Sequence, residues 1–275
     1  MSKDSTKDLY KLISQISVFA LGKRKPDAVT VRRMKNTAAG FIKDSAANCA
    51  TARGLIACIE GHYEEAVKQH TLATKLHKSP YHVMHYAVSM RTLGYPAEAY
   101  RLVQSVMSQM PDPMGLLSAE ISLSFESGHY EDVLRFHDEM LRIKLENVPT
   151  NVLLFVYFSN LLLDRNIESS VFPVIATLFE SIHDKYQTEP FDSYAIEFNP
   201  ENKGELFYWV TTTADEQTIA VMNAELASEI ALLKYDLDDY HTGFRAPQTS
   251  SAVISTDKLN QYLFDMNAQR TQSRL

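Results

Sequence analysis

Apolar residues fall at helical spacing over the first 186 positions and then switch to a period of two. Leu9, Leu12, Ile13, Ile16 and Phe19 share one helical face, and Val29 to Ile42 reads as a second helix opening after Pro26. Residues 1–46 are therefore expected to form a helical pair. Downstream, Ala47 to Ile59 is almost wholly apolar or small, and its partner helix places Ala66, His70 and Ala73 on one stripe. A second pair starts near Pro80, with Val83, Ala87 and Met90 facing inward, then Ala99, Val103 and Val106, and it ends at Pro111. A third pair carries Leu117, Ile121 and Ser124, then Val133, His137 and Met140, and the period extends to a fourth over Asn151–Asp164 and Ser169–Tyr186.

After Pro190 the pattern changes. Ser193 to Phe198 alternates, Asn199 to Gly204 has turn chemistry, and Glu205 to Thr213 is β-branched and aromatic, which predicts a hairpin. Ala214-Asp215-Glu216 then opens a helix with Ile219, Met222, Leu226, Ile230 and Leu233 on one stripe, running to about Tyr235. A hairpin and one helix bury little by themselves, so either Gly243–Val253 adds a strand or the unit packs against the end of the helices. Residues 190–245 thus read as an α+β appendage, and 246–275 as a polar linker followed by a helix in which Leu259, Leu263 and Met266 follow the cap Thr256. That last helix either docks internally until a partner displaces it, serves as an exported binding motif, or packs on the neighbouring domain.

Three Gly-centred turns punctuate the helical part. Glu60-Gly61-His62-Tyr63-Glu64-Glu65-Ala66, Leu93-Gly94-Tyr95-Pro96-Ala97-Glu98-Ala99 and Ser127-Gly128-His129-Tyr130-Glu131-Asp132-Val133 place their glycines 33 and 34 residues apart. This pattern resembles the tetratricopeptide repeat, clearly over residues 47–145 and by periodicity alone beyond. The resemblance implies a mainly α fold, an α-α superhelix built as a right-handed solenoid of helical hairpins, over residues 47–186. Gly54 then falls at the small central position, with Gly61, Gly94 and Gly128 as turn glycines, Ala66 and Ala99 as small contacts, and Tyr63 and Tyr130 as rings filling the gap between helices. The repeats are diverged: the early aromatic position holds Ala50, Val83 and Leu117, and the small central position Gly54, Ala87 and Ile121.

In that family the first helix of each pair lines a concave face that accepts a peptide or helix. The register implies that Asn48, Thr51, Ala52, Leu55 and Ile59 face it from the first pair, Tyr81, Met84, His85, Val88 and Arg91 from the second, and Ser118, Ser122, Phe125 and Glu126 from the third. Only Arg91 among them is cationic, so the carboxylate clamp found in some members is absent. An apolar or amphipathic polypeptide suits this surface better.

Composition changes the picture little. At 275 residues and 45% hydrophobic content the chain is long enough for one repeat domain or two compact ones. No apolar run is long enough to span a bilayer, and no cleavage pattern follows Leu12–Leu21, so the expected location is the cytoplasm. Cys49 and Cys58 sit about 13 Å apart along one helix by the helical rise, too far to bridge, and read as buried small residues. The formal charge of −7 hides an asymmetry: residues 1–43 carry ten Lys/Arg against three Asp, or +7, leaving −14 for the rest. The basic residues are dispersed with little aromatic interleaving, so nucleic acid ranks below a polypeptide as partner.

Five of the nine histidines, His62, His70, His77, His82 and His85, cluster in the first two pairs, yet no Cys/Asp/Glu set at metal-ligand spacing accompanies His82-x-x-His85. Asp236, Asp238, Asp239 and His241 lack the Gly and closing Glu of a calcium loop. No phosphate-cradling loop or nucleophile elbow occurs. The sequence thus reads as a non-enzymatic adaptor or chaperone-like module, with no cofactor or metal. The alternatives are a regulatory protein whose C-terminal unit binds a ligand, or a nucleic-acid-associated regulator using the basic N-terminus.

Overall fold

The computed structural model describes residues 3–21, 26–43, 45–110, 113–143, 150–164, 167–186, 194–198, 206–235, 237 and 240–246. The expected linker and last helix over 246–275, the turn Asn199–Gly204, and Asp236, Asp238 and Asp239 lie outside these, apart from residue 246. Eleven α-helices and three strands occur among the described residues, so the chain is mainly α with a small C-terminal strand element. The helices are α1 (Lys3–Leu21), α2 (Ala28–Gly40), α3 (Ala46–Ile59), α4 (Tyr63–Leu76), α5 (Pro80–Thr92), α6 (Pro96–Gln104), α7 (Pro113–Glu126), α8 (Tyr130–Arg142), α9 (Thr150–Leu163), α10 (Val171–Tyr186) and α11 (Glu216–Leu232). The strands are β1 (Tyr194–Phe198), β2 (Leu206–Thr211) and β3 (Tyr240–Arg245). Two compact units result, one holding α1 to α6 and the other α7 to α11 with the sheet.

In the first unit, side-chain caps set two helix starts. The Asp27 carboxylate accepts the Thr30 backbone N–H at 2.8 Å and opens α2, and Ser45 Oγ accepts the Asn48 N–H at 3.2 Å to open α3. Every residue of α3 except Ala46 and Arg53 is buried, which explains why it is hydrophobic all round. Leu9, Leu12 and Ile16 of α1 pack with Val31, Met34 and Ala38 of α2 and with Leu55, Ile56 and Ile59 of α3 in one core. Fully burying each Leu or Ile contributes about 1.5–3 kcal/mol. The expected boundary at residue 46 is therefore not a packing boundary, because the N-terminal pair completes the core of α3.

The three glycine turns share one hydrogen-bond pattern. Gly61 N–H donates to Cys58 O and His62 N–H to Ala57 O; Gly94 donates to Arg91 O and Tyr95 to Met90 O; Gly128 donates to Phe125 O and His129 to Ser124 O. Each glycine has positive φ, +79°, +91° and +79°, the left-handed cap that closes a helix by satisfying its last carbonyls. At Gly61 a side chain would meet open space, but at Gly128 an added Cβ would lie 2.5 Å from the carbonyl of Phe172. The same cap thus serves turn geometry at one position and helix approach at another.

In the second unit, α7 and α8 form a hairpin against which α9 packs, and α10 packs on α11. β1 pairs antiparallel with β2, as the hairpin reading requires, from Tyr194↔Val210 to Phe198↔Leu206. β3 pairs parallel with β2, from Leu206↔Tyr240 to Thr211↔Arg245, with α11 as the crossover capped by Asp215. The added strand begins three residues earlier than Gly243 and ends at Arg245. Its outer edge is held by Asn223, whose amide accepts the Phe244 N–H at 2.7 Å and donates to the Phe244 carbonyl at 2.9 Å.

The sheet shares its core with the helices. Phe179 of α10 meets Phe244 at a centroid distance of 4.7 Å and Tyr208 at 6.0 Å, and Phe172 lies between Tyr130 at 4.9 Å and Tyr240 at 5.5 Å. Glu225 of α11 accepts from Lys185 Nζ and Tyr186 Oη of α10 at 2.7 and 2.9 Å. The C-terminal strand element therefore packs against the preceding helices, one of the two arrangements expected for it, and also gains the added strand β3.

Candidate functional site

An open groove of about 540 Å³ lies in the first unit where α1, the starts of α3 and α5, and the end of α4 meet. Its position follows from the chain break between α4 and α5. His77 leaves the helix in extended conformation, and Ser79-Pro80 starts the next, the proline sitting where its missing N–H is not needed. Leu76 and His77 thereby flank one side, Tyr81 and His82 the other, and Leu9, Tyr10 and Asn48 complete the wall.

Tyr81 is the central ring. It stands edge-on to His85 at 4.4 Å and to Tyr10 at 6.5 Å, and its hydroxyl oxygen is buried with no hydrogen-bond partner among the described residues. Burial, then the neighbouring Tyr10 phenol, pushes the Tyr81 hydroxyl up to about 12. His82 is fixed from behind: its Nδ1 bonds Thr51 Oγ1 at 2.8 Å, and its Nε2 faces His77 Nδ1 at 3.2 Å. Burial and then His77 push His82 down to about 4, and burial and then His82 push His85 down to about 4. Both rings are neutral at pH 7, so the groove wall at His82 offers an uncharged imidazole among aromatic surface, with His85 behind Tyr81.

Behind the groove, His70 of α4 is fully buried. Its Nε2 bonds Ser89 Oγ at 2.8 Å, and its ring stacks on Tyr86 at 5.2 Å. Burial first, and then His85 and His82, push it down to about 3. Gly54 makes room for this ring, since a Cβ there would lie 2.6 Å from His70 Nε2. Cys58, also buried, donates to Ser89 O at 3.5 Å, and burial pushes its thiol up to about 12, which suits a structural cysteine and not a nucleophile.

The structure separates the expected groove residues. Asn48 and Tyr81 line the groove, Met84 and His85 are half-buried, and Val88 and Arg91 are exposed on α5. Leu55 and Ile59, at 4% and 6% exposure, belong instead to the core shared with α1 and α2, and Thr51 and Ala52 are buried with them. Ser122, Phe125 and Glu126 are buried in the second unit, where Phe125 stacks on Phe155 at 4.6 Å. These residues cannot line an accessible face because other helices cover them. The repeat-structural positions lie at helix contacts: Ala66, Ala99 and Tyr130 are buried, and Tyr63 packs on Tyr95 at 4.4 Å.

No family model, curated protein or solved structure matches the chain. The site is therefore characterised by its own geometry. Tyr10, Leu76, His77 and Ser79 were not among the expected site residues. The available signal was His77 and His82 straddling Ser79-Pro80, a helix break that turns a separation of five residues into contact. Among the described residues no group of three His, Cys, Asp or Glu gathers to hold a metal, and no helix is long and apolar enough to cross a membrane. A second groove of about 620 Å³ lies between α2 and the end of α3, where Arg32 and Lys35 line it and Lys35 pairs with Glu60 at 2.9 Å.

Proposed function

We propose that this chain is a protein-interaction module of tetratricopeptide-like helical hairpins, an adaptor or chaperone-like protein that takes an apolar, aromatic-tolerant polypeptide segment into the first unit's groove. The observation that carries this reading is the groove mouth. Tyr10 and Leu76 are 59% and 52% exposed there, next to the ring of Tyr81. Such a surface offers aliphatic and aromatic anchors beside a half-buried aromatic ring. The neutral histidines behind it remove the charge that a carboxylate clamp would need. Support for the repeat family comes from the three glycine caps with matching hydrogen bonds at 33- and 34-residue spacing.

Affinity capture with the full chain as bait, followed by mass spectrometry, tests the reading when run beside Tyr10→Glu, Leu76→Glu and Val88→Glu. All three side chains are exposed, so each variant keeps the wild-type circular dichroism spectrum. Partners of the groove disappear with Tyr10→Glu and Leu76→Glu and persist with Val88→Glu. Equal recovery by all four baits rejects the groove as the binding surface.

A further inference from the structure

We propose that His77 and His82 form a two-histidine chelate for a borderline divalent cation of the zinc class, opening onto the groove. The two facing nitrogens, His77 Nδ1 and His82 Nε2, are 3.2 Å apart with rings crossing at 73°. Two nitrogens bound at about 2.0–2.1 Å to one tetrahedral Zn²⁺ stand about 3.4 Å apart. The nitrogen separation is thus already within a few tenths of an ångström of the chelate's, and the change required is a swing of His77, the more exposed ring, that takes its Nδ1 off the line of the His82 lone pair so that both nitrogens converge on the metal.

His82 supplies the fixed half of the chelate. Thr51 Oγ1 sits 2.8 Å from its Nδ1, so an Nδ1–H donated to the hydroxyl leaves the Nε2 lone pair directed at His77. Metal-bound histidines are oriented in this way, by an oxygen on the nitrogen that does not bind. Thr51 is itself fully buried on α3, which holds the ring from a separate helix. The ligand backbones are equally constrained: His77 terminates α4, and the His82 N–H donates to Ser79 O in the first turn of α5.

The groove provides entry and room. Both histidines line it, and its volume of about 540 Å³ accommodates water at the remaining coordination positions. Because no third His, Cys, Asp or Glu joins them among the described residues, the protein supplies two ligands and the site stays open. Imidazole pairs of this kind suit Zn²⁺, Cu²⁺ and Ni²⁺ over Mg²⁺ or Ca²⁺, which prefer oxygen. The cation replaces the bond between the two rings as His77 passes to the tautomer with its proton on Nε2, which frees the Nδ1 lone pair, and this site does not depend on a polypeptide entering the groove.

Isothermal titration of the chelator-treated full chain with Zn²⁺ at pH 7.4 tests the assignment. One equivalent binds to the wild type, and His77→Ala, a change at an exposed loop position, lowers the affinity at least tenfold with an unchanged circular dichroism spectrum. In ¹⁵N imidazole NMR, Zn²⁺ moves His77 Nδ1 and His82 Nε2 together. Absence of a one-equivalent site, undiminished affinity in His77→Ala, or shifts confined to exposed rings such as His62 and His241 would each overturn it.

Discussion

Replacing Gly54 by Ala sets helix propensity against packing, and the structure decides the winner. Alanine in a helix interior gains about 0.8–1.0 kcal/mol over glycine. At this position, however, the new Cβ falls 2.6 to 2.9 Å from three atoms of the His70 ring. That ring has little freedom to retreat, being fully buried, stacked on Tyr86 and bonded to Ser89. Forcing a methyl into a packed core costs typically about 1–3 kcal/mol, and stranding the buried Ser89–His70 bond adds about 1–3 kcal/mol. The balance is a net loss of about 3 kcal/mol, or about 10 °C in Tm for a unit of this size. Urea and thermal unfolding followed at 222 nm measure it. The decisive arm repeats Gly54→Ala in a His70→Ala background, where the obstructing ring is gone and the loss shrinks to near zero or becomes a gain. A stable single variant, or an undiminished loss in the His70→Ala background, would refute the packing argument.

Other consequences are open to direct measurement. Gly61→Ala and Gly128→Ala occupy the same cap at φ +79°, but only the second meets backbone; thermal melts should show a loss of about 1–2 kcal/mol for the first and clearly more for the second. His70 is held neutral, with its folded pKa lowered to about 3 from 6.5. The unfolded chain therefore binds this proton first, so stability is unaffected above about pH 6.5 and falls as pH drops from there toward 3, by up to about 1.4 kcal/mol per pH unit. His70→Gln should flatten that part of a stability–pH curve. Truncation after residue 189 should yield an aggregating or non-cooperatively melting fragment, seen by gel filtration and calorimetry, because Phe172 and Phe179 lose Tyr240 and Phe244.

The sequence made the helices plain and their neighbours less so. Leu9, Leu12 and Ile16 announced a buried face on α1, and the three glycines announced their turns, because both signals are local and periodic. What covers a face is not local. The register put Leu55 and Ile59 in a groove because α3 alone cannot show that α1 and α2 fold back over it. Strand β3 was expected too late in the chain, since six residues containing His241, Thr242 and Gly243 give little alternation to read. Its parallel pairing depends on the length of α11. The histidine contact was hidden for a related reason: His82 and His85 share one helix and draw attention by their spacing, whereas the partner of His82 is His77, across a proline-marked break.

The parallel pairing of β2 with β3 has a consequence for how the second unit is born. Tyr130 and Phe172 take Tyr240 as a neighbour, and Phe179 takes Phe244, so the cover for these rings is synthesised 65 to 110 residues after them. At about 5–20 residues per second, translation leaves those aromatic faces waiting for about 3 to 20 seconds. During that interval a nascent chain presents α8 and α10 with an uncovered apolar side. The ribosome, by finishing β3, supplies the last piece of a core that earlier helices had already begun.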